Sequence, residues 1–94
     1  MTMEEIKVDG SIVEASEVEI FRDHWFRVLK SISGDEYYLG YAVSVGPYKF
    51  DLEVYRKLSD KQTEEYESGA LDVISLAKNW SHEDTQSGKF ERRS

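Results

Sequence analysis

Two histidines are the first residues to weigh as catalysts or metal ligands. Asp23-His24 sets a carboxylate beside an imidazole, but neighbouring side chains usually diverge and no nearby serine has the context of a nucleophile elbow, so His24 reads as a turn residue rather than part of a hydrolytic triad. His82 with Glu83 and Asp84 offers donors for a divalent metal, yet the spacing lacks a fixed helical face and the segment is polar, so a solvated tail is the better reading. The chain contains no cysteine, which removes disulfides, thiolate catalysis and Cys-ligated zinc. Its six glycines, at 10, 34, 40, 46, 69 and 88, never cluster, so neither the phosphate loop nor the dinucleotide fingerprint is present. The expectation is a non-enzymatic protein without cofactor or metal.

Carboxylates and tyrosines suited to recognition remain. Tyr38 and Tyr55 are expected to pair directly across the hairpin strands, with Asp51 and Glu53 beside them and Gly40 and Ala42 leaving a shallow depression. Aromatic anchors mixed with carboxylates suit a protein interface. The competing reading is that a second helix covers this face, or that cross-strand tyrosines only stabilise the hairpin. Glu64, Glu65 and Glu67 form an acidic run on a helix, which reads either as a solvated face or as part of a docking surface. The candidate partner-binding set is therefore Tyr38, Asp51, Glu53, Tyr55, Glu64 and Glu65.

The elements that must carry these residues start from the middle of the chain. Tyr37, Leu39, Tyr41, Val43 and Val45 alternate with smaller or polar residues, as do Phe50, Leu52 and Val54, the period of two that marks strands with one buried face. Gly46-Pro47 between the runs predicts a hairpin, 37–45 with 48–56, closed by a two-residue type II′ turn that pairs Val45 with Tyr48, Val43 with Phe50, Tyr41 with Leu52 and Leu39 with Val54. Ser59-Asp60-Lys61-Gln62 is a capping box, and Tyr66, Ala70, Val73, Ile74 and Ala77 follow at helical spacing, predicting a helix over about 60–79 in which Gly69 marks close packing or a break. From about Ser81 the composition turns polar and predicts a mobile tail over 81–94, leaving one domain over 1–80.

The first third supports two readings. Val18, Phe21, Trp25, Val28, Leu29 and Ile32 could line a helix over about 17–31, but the density of β-branched and aromatic residues and the loop-like Ser33-Gly34-Asp35-Glu36 favour strands. A lone hairpin is not independently stable, so partner strands are required from this segment or from Ile6–Val8 and Ile12–Ala15. The predicted class is α+β: an antiparallel sheet of three to five strands with a C-terminal helix on one face.

Length and charge narrow the function. Ninety-four residues support one modest core and exclude a large cofactor-binding fold. Apolar residues make up 39% and charged residues 33%, the latter above the usual share of about 25%. The net charge is −7, and because the last ten residues hold Lys89, Arg92 and Arg93 against Glu91, residues 1–84 carry −9. That balance repels nucleic-acid backbones and anionic membranes and favours a basic protein partner. Met1 to Val8 is acidic without an apolar run, and no stretch approaches the roughly 18 apolar residues of a membrane span, so a cytoplasmic location is expected.

From Tyr37 to Trp80, the order of a Tyr- and Val-rich hairpin, Leu58-Ser59-Asp60-Lys61-Gln62, Tyr66, Gly69-Ala70-Leu71 and Leu76-Ala77 resembles small bacterial immunity proteins of polymorphic or contact-dependent toxin systems. The resemblance implies a stoichiometric inhibitor that caps one cognate toxin, often a basic nuclease, with an acidic surface. Charge equally fits a phage-encoded inhibitor that mimics nucleic acid toward a defence nuclease. A small ligand-binding or enzymatic domain, dimeric through an exposed strand edge, is the third reading, and paired catalytic groups for it are lacking.

Overall fold

Alternating apolar residues in the first half and helical spacing in the second produce five strands followed by two helices. The computed structural model describes residues 3–22, 25–45 and 50–87. Among them, β1 (Met3–Val8), β2 (Ser11–Phe21), β3 (Phe26–Ser31), β4 (Tyr37–Val45) and β5 (Phe50–Lys57) form one antiparallel sheet in sequence order, and α1 (Asp60–Ser68) and α2 (Val73–Ser87) follow. Residues 17–21 and 26–31 are thus strand, the reading that the β-branched and aromatic content favours. Asp9 and Gly10, both at positive φ (49° and 84°), close the β1–β2 hairpin between paired Val8 and Ser11, the backbone that a tight two-residue hairpin demands.

The central hairpin pairs two residues away from the expected register: Tyr41 opposes Val54, Val43 opposes Leu52 and Val45 opposes Phe50. A shift of two leaves every side chain on its original face, so hydrophobic alternation cannot separate the two registers. The expected Gly46-Pro47 turn and the pairing at Tyr48 lie outside the described residues. Tyr55 consequently opposes Gly40, while Tyr38 opposes Lys57, and the two tyrosines are diagonal neighbours rather than a direct pair.

Each face of the sheet has its own core. On one, Val28, Leu39, Tyr41, Val43 and Val54 pack with Leu58 and with Val73, Ala77 and Trp80 of α2; Ile74 is half-buried against them. Leu52, expected in this core, remains 41% exposed, because α2 lies along β4 and leaves the edge strand β5 uncovered there. The side chain of Phe50 lies outside the described residues. On the other face, Ile6, Val8, Ala15, Leu29 and Tyr38 form a second buried cluster. No helix is needed to cover it: the sheet curls until its two edge strands, β1 and β5, come into contact, helped by a bulge in β2 between Glu17 and Glu19 that adds local twist.

The expected helix over 60–79 is two helices. Ser59 and Gln62 form both halves of the capping box at the start of α1. Gly69 ends it in the left-handed conformation at φ 81°, its N–H donating to the carbonyls of Glu65 and Tyr66, a backbone that glycine adopts without a Cβ penalty. The chain restarts at Asp72, whose carboxylate accepts from the Ser75 N–H at 3.1 Å. Residues 81–87, expected in a mobile tail, continue α2 and bring Asp84 to 4% exposure. The reason is packing: Trp80 and Asp84 lie one turn apart on the face that meets the sheet.

Candidate functional site

Arg27 organises the concave side of the curled sheet. It sits on β3 among Phe26, Val28 and Leu29, and strand parity turns it away from the α2 core onto the side of Gly40 and Tyr55. There its guanidinium donates to both oxygens of Glu4 on β1 at 2.6 and 2.9 Å, and to both oxygens of Glu53 on β5 at 3.0 and 3.1 Å. It also reaches Glu17 on β2 at 3.3 Å and the Tyr55 hydroxyl at 2.6 Å. The hydroxyl of Tyr55 in turn donates to Glu53. A planar donor fork with bidentate partners on two strands is the geometry to which arginine is suited. Hydrogen bonding to Glu4 raises the Arg27 pKa further above its ordinary value against the cost of burial, and Glu53 and Tyr55 add to the rise. The Tyr55 hydroxyl is pushed up to about 12, first by burial and then by its bond to Glu53.

The six candidate partner-binding residues do not form one surface. Glu53 and Tyr55 meet in the Arg27 network. Asp51 lies on the same concave face, exposed, with the Ser44 hydroxyl at 3.4 Å. Tyr38 is only 5% exposed and belongs to the second core, so it is not the exposed anchor that hairpin alternation suggested; curling of the sheet covers it. Glu64 and Glu65 lie on α1, whose Tyr66 packs on Tyr37 with ring centroids 5.2 Å apart, on the opposite side of the sheet from Tyr38. Arg27, Glu4 and Glu17 escaped the sequence reading. One signal for Arg27 was present, a cation interrupting the apolar run Phe26-Arg27-Val28-Leu29, but its partners come from strands whose pairing is tertiary.

The α1 side holds a different arrangement. Glu19 and Phe21 of β2, Tyr37 of β4, Tyr66 and Glu67 of α1 and Asp72 before α2 border an open cleft of about 670 Å³. The Tyr66 hydroxyl donates to Glu19 at 3.0 Å; burial, followed by that bond, raises its pKa. Asp72 is held below the usual carboxylate range by the backbone N–H and then the hydroxyl of Ser75, with Lys78 contributing. Among the described residues the ion pairs engage Glu4, Glu17, Glu53, Glu83 and Asp84 with Arg27 or Arg56. Glu19, Glu64, Glu65, Glu67 and Asp72 are not among them.

A third polar group fastens α2. Asp84 accepts from the Tyr41 hydroxyl and from Arg56 at 2.9 Å, and the Arg56 guanidinium lies 4.4 Å from the Trp80 ring centre. Its role is structural, since both Asp84 and Tyr41 are buried in the contact between α2 and the sheet. His82 is exposed on α2, and His24 lies outside the described residues. Among the described residues no group of three or more His, Asp or Glu side chains is placed to hold a metal ion. None of the described helices is long and apolar enough to cross a membrane.

No family model, curated protein or solved structure matches the chain. The fold is closed by one half-buried arginine, and a separate cleft beside α1 brings carboxylates and aromatic rings together with no cation among its lining residues.

Proposed function

We propose that this protein is a non-enzymatic, cytoplasmic binding protein of the immunity type, which neutralises a basic protein toxin by occluding its working surface. The observation that carries the reading is the unpaired acid on α1: Glu64, Glu65 and Glu67 enter no ion pair among the described residues, and they belong to a segment, 1–84, that carries −9. Unpaired carboxylates on α1 create a field that steers a cationic partner to that helix and speeds encounter. On the concave side, by contrast, Glu53 and Tyr55 are occupied by Arg27, so of the six candidate residues Glu64 and Glu65 are best placed to act in docking, with Asp51 contributing to the field.

The test is capture by the tagged full chain from lysate at low and high salt, identification of the captured protein by mass spectrometry, and expression of that protein in cells with and without this chain. The expected result is a basic protein, retained at low salt and weakened at high salt, whose toxicity the chain suppresses. A captured protein of neutral or acidic charge, or a basic one whose toxicity is unaffected, would overturn the reading. Capture of a defence nuclease would instead favour the nucleic-acid mimic.

A further inference from the structure

We propose that the cleft between α1, the end of β2 and the start of α2 is a binding site for an arginine side chain, the anchor that a basic partner would insert. The inference rests on the proposed function for its partner, but the site itself stands on geometry. Half-buried Tyr66 forms the aromatic wall of the cleft, with Tyr37, itself 8% exposed, behind it: the rings are tilted by 58° with centroids 5.2 Å apart, and Phe21 lines the same cleft. Around that wall stand three carboxylates from three elements: Glu19 on β2, Glu67 on α1 and Asp72 before α2. No lining residue is cationic. The volume of about 670 Å³ falls within the roughly 300 to 1,000 Å³ of small-ligand sites.

The carboxylates are held ready by different means. Glu19 takes the Tyr66 hydroxyl on one oxygen, Oε1. Asp72 is fixed by the N–H and hydroxyl of Ser75 at 3.1 and 2.9 Å, which keeps it ionised and restricts its rotamers. Glu67 is exposed at the cleft's rim. Two cations act from outside the lining: Lys30 lies 5.7 Å from the Tyr37 ring centre, and Lys78 acts on Asp72. They lessen the negative field without occupying the cleft. The Tyr66 ring beside carboxylates favours a cation that stacks and donates in a fork at once, which guanidinium does and ammonium does not.

The test uses a probe, N-acetyl-L-arginine methylamide, titrated into the 15N-labelled full chain and followed by amide chemical shifts. The matching citrulline derivative has the same shape without the charge, and the lysine derivative has the charge without the planar fork. Expected are saturable shifts centred on residues 19–21, 37 and 66–74, weaker binding of the lysine probe and none of the citrulline probe. The double variant Glu67→Gln/Asp72→Asn should weaken arginine binding about fivefold or more, the scale of solvent-screened ion pairs. Asn at 72 retains an oxygen for the Ser75 N–H, and the single variant Glu67→Gln, at an exposed position, tests the same point without touching that cap.

Shifts spread evenly over the acidic surface, equal binding of the citrulline probe, or binding unchanged in both variants would overturn the site. The two proposals fail separately. Probe binding in a chain that captures no basic protein removes the partner and leaves the cleft, whereas capture of a basic protein by a chain whose cleft ignores the probe removes the cleft and leaves the partner.

Discussion

Replacing Asp84 with Ala should lower stability by more than any exposed acidic substitution, and the size of the loss follows from what the carboxylate holds. Asp84 is 4% exposed and accepts from both Tyr41 and Arg56. Without it the Tyr41 hydroxyl, in a side chain only 1% exposed, loses its acceptor inside the core, at a cost of about 1 to 3 kcal/mol. Breaking a fully buried ion pair costs about 3 to 5 kcal/mol, but the Arg56 side chain is 28% exposed and has Glu83 at 3.9 Å, so it can turn toward water and add only part of that. The expected total is about 2 to 4 kcal/mol. For a domain of this size that is a fall in Tm of roughly 10 to 25 °C. Urea unfolding followed by circular dichroism and tryptophan fluorescence measures it. Glu83→Ala, the exposed neighbour, should stay within about 0.5 kcal/mol of the parent. Adding Tyr41→Phe to Asp84→Ala should recover part of the loss, because the orphaned hydroxyl is gone. A loss under about 1 kcal/mol, the worth of an ordinary surface pair, or strictly additive single losses would refute the claim that this network fastens α2 to the sheet.

Arg27→Met keeps the aliphatic stem but leaves Glu4, Glu17 and Glu53 facing one another, so hydrogen exchange should accelerate in β1 and at the β5 edge while β3–β4 amides stay protected; unchanged exchange in β1 would contradict the role of Arg27 as the tie across the curl. Tyr55 carries a pKa pushed up to about 12 in the folded state, so the folded form holds that proton more tightly than the unfolded chain, and the associated stability should be full below about 10 and decline as pH rises toward 12. Tyr55→Phe should reduce that alkaline decline, which unfolding curves at successive pH values would report. Gly69→Ala has space for its Cβ but must adopt φ 81°, a strain of roughly 1 to 2 kcal/mol, and Ser59→Ala should lose about 1 kcal/mol with the cap of α1; both are read from urea midpoints.

Local chemistry was legible in the sequence where the determinants were local. The alternation at 37–45 identified β4 and its buried face, and Ser59 with Gln62 announced the start of α1. The hairpin register was not fixed, because a two-residue slip preserves the alternation on which it was judged. Burial of Tyr38 depends on the sheet curling until β1 meets β5, a consequence of twist and of the β2 bulge that no local pattern records. Asp84 was hidden for the opposite reason: it sits in a polar stretch, and only the turn-by-turn alignment with Trp80 reveals that α2 continues with one face toward the sheet. The acidic run on α1 was visible at once, whereas the cleft beside it required Glu19 and Tyr37 to arrive from two other strands.

Guidance of a basic protein by the acid on α1 can be measured by stopped-flow association with the basic partner recovered from lysate, over a range of ionic strength. The wild-type association rate should fall steeply as salt rises. Reversing charge in Glu64→Lys/Glu65→Lys should slow association at low salt and flatten that dependence, with little change in dissociation. An association rate indifferent to salt and to both substitutions would contradict electrostatic guidance by α1.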